Sequence, residues 1–243
     1  KITPASGTNT QIGEAGDTTN LSAGTVTLPT SIITGASEKT TLVDADKFLI
    51  ADSADSNAFK HVQKSNLPSG GLTRVGGSNV TGQSLGDLSF DNVFSATFNT
   101  YYVTFRVNMV ANSSQLWLRM RDGSGFKTNS NYKFILYGEN WSETESSISS
   151  SGGDDKFRLT GGLNSADDDT GAYGYLYFYR PFNSGKVTEV TMGVTEKDES
   201  YIITSRVGAG SFQNTASCTG FGFIGSNQNI EDCDVTIYGV NQS

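Results

Sequence analysis

Histidine, cysteine and proline are nearly missing from this chain. Among 243 residues there are one His, two Cys and four Pro. A single imidazole cannot complete a zinc set, and the spacing of Cys218 and Cys233 matches no zinc pattern. A Ser-His-Asp triad would need His61 as its base, and His61 falls in a small hairpin-like stretch away from any core pattern. Glycoside hydrolysis by paired carboxylates needs a fixed separation. The acidic residues here crowd into Ser-, Gly- and Asp-rich stretches that read as loops. The "DDDTG" run resembles the start of a calcium loop but lacks the Glu that such a loop requires at its twelfth position. The expectation is a protein that is not an enzyme and holds no metal and no cofactor.

Basic charge is also scarce. Lys and Arg number 17 against 25 Asp and Glu, a net charge of −8. Both parts of the chain share the imbalance, with 6 basic against 8 acidic residues over 1–87 and 11 against 17 over 88–243. Phosphate neutralisation dominates nucleic-acid binding, so nucleic acid is excluded as the expected partner. The same balance disfavours anionic lipid. No apolar run approaches the roughly 18 residues of a spanning helix, so no membrane insertion is expected, and no signal peptide is visible. The chain opens on Lys1, which reads as a fragment or the ordered part of something longer.

What is present is glycine and aromatic side chains: 28 Gly, 14 Phe and 10 Tyr. With no sustained helical periodicity, this points to strands joined by turns. Residues 1–40 carry isolated apolar positions (Ile12, Leu21, Val26, Leu28, Ile32) punctuated by Gly13, Gly16 and Gly24. Such short strands cannot bury a face alone, so they read either as disordered or as rungs packing against other copies. Residues 41–71 read as a small β-hairpin around the polar turn "DSADSN". A unit of about thirty residues is too small to be stable by itself. Residues 72–87 read as a polar, Gly-rich linker.

From 88 to 243 the pattern alternates with period two. In "TYYVTFRVNMV", Tyr101, Val103, Phe105 and Val107 oppose Tyr102, Thr104 and Arg106. Eight further stretches follow: "QLWLRMRDG", "NYKFILYG", "DKFRLTG", "AYGYLYFYRPF", "VTEVTMGVTE", "SYIITSRVGAG", "CTGFGFIG" and "CDVTIYGV". Nine short strands suggest an all-β sandwich, jelly-roll-like in kind. The stretches 139–155 and 164–171 read as exposed loops. The cysteines flank an expected hairpin centred near Gly225–Ser226. Two readings stay open, a disulfide across that turn or two small buried hydrophobes, and the demanding geometry of a disulfide favours the second.

One surface stands out. In "GAYGYLYFYRPF", Leu176 and Phe178 read as core, which leaves Tyr173, Tyr175, Tyr177 and Tyr179 on the opposite face. A solvated sheet would carry Thr, Lys or Glu there. Such a face is a subunit interface or a sugar-binding platform. Tyr175 and Tyr177 are therefore candidates for an interface between copies, as are Phe48 and Phe59, the largest apolar groups of the small hairpin. For recognition of a cell surface the candidates are Trp141, with Asn140 and the Asp167, Asp168 and Asp169 run, because an indole in a polar loop stacks well on a sugar ring.

These stretches carry a resemblance. "IGEAGDTTNLSAGTVTLP" resembles the rung motif of bacteriophage tail fibres, and "DADKFLIADSADSNAFKHVQKSNL" resembles a small hairpin unit of the same proteins. "YYVTFRVN", "LWLRMRDGSG", "YLYFYRP" and the final "SNQNIEDCDVTIYGV" look like the distal β-sandwich of tail-fibre or tail-spike proteins, with Tyr238 and Gly239 retained in the last strand. The resemblance implies a homotrimer in the virion tail, assembled in the bacterial host cytoplasm. It implies other virion tail proteins and a host cell-surface glycan or protein as partners. The Tyr-rich face departs from the resemblance, since such fibres more often place polar residues there. A carbohydrate-binding adhesin module outside any virion is the alternative.

Overall fold

Alternating side chains make strands whose two faces differ, and two such sheets bury their apolar faces against each other. The computed structural model of the chain describes residues 42–43, 45–55, 58–64, 71–142, 144–163, 171–198 and 200–241. The expected rungs over 1–40 and the Asp167–Asp169 run lie outside the described residues. The chain divides into two units, 1–67 and 68–243. Strands make up 61% of the described residues, with almost no helix.

In the first unit, β1 (Lys47–Asp52) and β2 (Ala58–Gln63) form a two-stranded antiparallel hairpin joined through a 3-10 turn at Ser53–Asp55. The Asp52 carboxylate builds the turn. It accepts the Ala54 N–H at 3.0 Å and pairs with Lys60 Nζ at 2.8 Å. Phe48 is registered with Val62 and Phe59 with Ala51. Leu49 is 73% exposed, and His61 is exposed as well.

The second unit is a sandwich. Its larger sheet has eight strands in the order β3, β15, β5, β11, β12, β13, β8, β9. These are β3 (Leu72–Val80), β5 (Thr100–Met109), β8 (Tyr132–Asn140), β9 (Glu145–Asp154), β11 (Ala172–Tyr179), β12 (Thr188–Lys197), β13 (Ile203–Phe212) and β15 (Ile230–Val240). The smaller sheet orders β10 (Phe157–Arg158), β6 (Leu116–Asp122), β14 (Gly220–Gly225) and β4 (Asp87–Phe90), with the short β7 (Gly125–Phe126) beside β6. All pairings are antiparallel.

Rings fill the space between the layers. Phe105 of β5 meets Phe223 of β14 at 5.0 Å, Phe178 of β11 meets Phe221 of β14 at 5.0 Å, and Tyr132 of β8 meets Phe157 of β10 at 4.9 Å. Tyr132 is fully buried, and its hydroxyl is satisfied on both sides. It accepts the Met120 N–H at 3.0 Å and donates to the Lys127 carbonyl at 2.7 Å. Burial pushes this phenol far above its ordinary range. One ion pair sits within the buried layer. The Glu196 carboxylate takes Arg206 on one oxygen and the Gly161 N–H, at 2.8 Å, on the other.

All nine stretches read as strands are strands, and four further strands were not foreseen. The expected linker 72–87 contains β3, an edge strand paired with β15, and the start of β4. The expected loop 139–155 contains β9, paired with β8 along Glu139–Glu145 to Tyr132–Asp154. The reason is the same for both. An edge strand shares one ladder and buries little, so Ser- and Gly-rich chain suffices. In β9, Ile148 is half-buried and packs against the core. The expected Cys hairpin is also different. β14 belongs to the smaller sheet and β15 to the larger, so the chain arches from one layer to the other. Cys218 and Cys233 are both buried and free. Burial pushes the Cys218 thiol up to about 12.

Candidate functional site on the outer face of the larger sheet

Strand order decides which outward side chains become neighbours. Across the larger sheet, Tyr238, Tyr102, Tyr177, Thr191, Ala209 and Ile135 fall in one row, from β15 to β8. The next row holds Thr236, Thr104, Tyr175, Gly193, Val207 and Tyr137. No position in either row is charged. The flanking rows do carry charge, with Asp234, Arg106 and Glu139 on one side and Glu189 and Lys133 on the other.

The tyrosines stack on one another. Tyr102 and Tyr177 lie 4.8 Å apart at 29°, Tyr102 and Tyr238 6.3 Å apart at 21°, and Tyr177 and Tyr179 6.4 Å apart at 16°. Burial raises the Tyr177 phenol above its ordinary value, and the neighbouring Tyr102, Tyr179 and Tyr175 add to it. Tyr175 lies flat over Gly193. A Cβ at residue 193 would come within 2.3 Å of its ring, so glycine is what lets the tyrosine cover the backbone. Past this shelf the face turns aliphatic and open. Val207 is 60% exposed, its cross-strand neighbour Tyr137 is 63% exposed, and Ile135 is exposed beside them. An open groove of about 520 Å³ runs along one margin, between Tyr179 and Glu189 on one side and Lys133 and Ile135 on the other.

Trp141 sits in the β8–β9 turn, 69% exposed, and donates its backbone N–H to the Ile203 carbonyl at 3.1 Å. That contact brings the turn beside the start of β13, close in sequence to Tyr201, whose ring lies 4.7 Å from Lys197 Nζ. Asn140 has a local task. Its side-chain oxygen accepts the N–H groups of Ser142 and Thr144, each at 3.0 Å, and so shapes the turn that presents Trp141.

No protein-family model matches the chain, and no curated protein or solved structure is similar to it at a significant level. The site therefore rests on its own geometry.

Parity placed Tyr102 and Tyr173 to Tyr179 outward, and there they are. Sequence reasoning passed over Ile135, Tyr137, Ile203 and Val207. The signal was present in "NYKFILYG", where both parities are apolar, because a strand with one solvated face would not spend Ile and Tyr on it. Among the described residues no three His, Cys, Asp or Glu come together as a metal set, and no helix is long and apolar enough to cross a membrane.

Proposed function

We propose that this chain is the distal part of a homotrimeric virus tail fibre whose sandwich contacts a host cell surface. The observation that carries this reading is the first unit. A two-stranded hairpin is marginal in water, yet this one leaves Leu49 73% exposed and Ile50, Leu42 and Val43 exposed too. Such a ribbon is stable when copies of the chain supply what one copy lacks. The sandwich that follows in sequence is read as jelly-roll-like, supported by a chain that alternates between layers over β4, β5 and β6 and again over β13, β14 and β15. Trp141, held out by its turn, is the favoured contact to a glycan or protein of the host.

Light scattering on the whole chain tests the reading. The expected mass is three times 25.9 kDa, and a stable monomer would sink it. The stacked row Tyr238, Tyr102 and Tyr177 favours a second reading, a carbohydrate-binding adhesin module. It predicts a monomer that is retained on immobilised polysaccharide and released by free sugar.

A further inference from the structure

We infer that the outer face of the larger sheet is covered by a second copy of this chain, the contact centring on Val207, Tyr137 and the Tyr175–Tyr177 shelf. The inference rests on the homo-oligomer proposed above and names the surface through which copies meet.

Three observations support this occupant. The first is the distribution of charge. Two adjacent rows across six strands carry none, while the rows on either side carry both signs: Asp234, Arg106 and Glu139 along one margin, Glu189 and Lys133 along the other. An uncharged aromatic centre with a polar, mixed-sign rim is the anatomy of a protein–protein interface. The second is size. Six strands about 4.8 Å apart and four rows about 6.8 Å apart cover roughly 800 Å², the share each partner contributes to a stable interface. The third is net charge. Copies of a chain carrying −8 repel one another, so they approach most easily through a face that adds nothing to the repulsion.

A sugar is less well matched. Sugar sites set convergent carboxylate, amide or basic groups around a ring platform to orient hydroxyls. The centre of this face offers Val207, Ile135 and Ala209 instead. The charged groups stand only at its margins.

The two native cysteines are buried, so a thiol introduced on the surface is the reactive one. Val207→Cys and, at an exposed turn of the smaller sheet, Ser124→Cys are made in the whole chain and treated with a maleimide under native conditions. In the oligomer Val207→Cys should react at least tenfold more slowly than Ser124→Cys, and the two rates should converge once denaturant dissociates it. Comparable native rates in a species that scatters as an oligomer would show the face open. The inference would then fall while the fibre reading stands. Protection of Val207→Cys that appears only when polysaccharide is added would overturn it in favour of a glycan. A wild-type chain that scatters as a monomer removes the fibre reading, and this one with it.

Discussion

Both sheets of the sandwich turn aromatic rings outward, and they close them differently. On the smaller sheet each ring has a cation from the same chain. Lys156 Nζ lies 4.4 Å from the Trp117 ring, and the Arg121 guanidinium lies 4.3 Å from Phe126. Those cations are held in turn by acids, Lys156 by Asp154 and Asp155 and Arg121 by Asp91, and the neighbouring Arg119 shares Asp155. On the larger sheet the tyrosines of the central rows stack on one another, and the aliphatic end, Val207 and Ile135, stays exposed in the described chain. The first surface is finished by its own residues, with cation–π contacts taking up the ring faces. The second has the composition of a surface awaiting a partner. Aromatic content alone therefore does not mark a binding face. What marks it is whether charged neighbours from the same chain have already taken the rings.

The largest test removes what the two sheets share. Phe221 packs against Phe90, Phe94 and Phe178 between the layers. Phe221→Ala should cost about 3–5 kcal/mol, read as a loss of melting temperature. A cost under about 1 kcal/mol would mean that the layers do not depend on each other through this ring.

Next comes the covering of the larger face. Gly193→Ala forces the Tyr175 ring aside and should destabilise the fold by roughly 1–3 kcal/mol. Pairing it with Tyr175→Ala should recover most of that loss in urea melts. If the single variant is neutral, Tyr175 is not the lid described here.

The smaller face gives a lesser effect. Trp117→Ala loses one stacked ring and should cost roughly 1–2 kcal/mol. Its coupling to Lys156→Met should be measurable in a double-variant cycle. Strict additivity would show that the cation and the ring act independently.

The smallest expected effect is in acid. Burial pushes the Asp155 carboxyl up. The hydrogen bond that Lys156 donates, with the charges of Arg119 and Lys156, outweighs that, and the carboxyl comes down to about 2. A carboxylate lowered in the folded state stabilises fully above its unfolded value, near 4, and that share is lost as the pH falls through about 2. The gap in melting temperature between the wild type and Asp155→Asn should thus be widest at pH 5 and close towards pH 2. The gap should be small, because Asp155 is a third exposed. A gap that widens in acid would contradict the assignment. The central rows of the larger face carry no carboxylate, so no matching change is expected there.

Much of this was legible in the chain. The alternation in "GAYGYLYFYRPF" put Leu176 and Phe178 inside and four tyrosines outside, and both side chains of the core pair are fully buried. The same alternation gave Leu116, Leu118 and Met120 to the core and Trp117 to the outside. The edges were not legible. β3 and β9 are polar and Gly- or Ser-rich, and the backbone ladder of a neighbouring strand makes them strands. Nor was the turn-building task of Asn140, whose oxygen accepts two backbone N–H groups that only the folded turn brings together.

For an inner strand, the face that each side chain takes follows from local alternation alone. Side chains alternate every residue along extended backbone, whatever lies beside it. Which strands become neighbours is set by the folded arrangement instead. Tyr238, Tyr102 and Tyr177 are far apart in the chain and form one stacked row because β5 lies between β15 and β11. Lys156 meets Trp117 only because β10 pairs with β6. A backbone ladder accepts any strand as its partner, so neither pairing is written in the local pattern. It is the packing of the two apolar faces, with Phe223 against Phe105 of β5 and Phe221 against Phe178 of β11, that selects one order and with it the surface left for a partner.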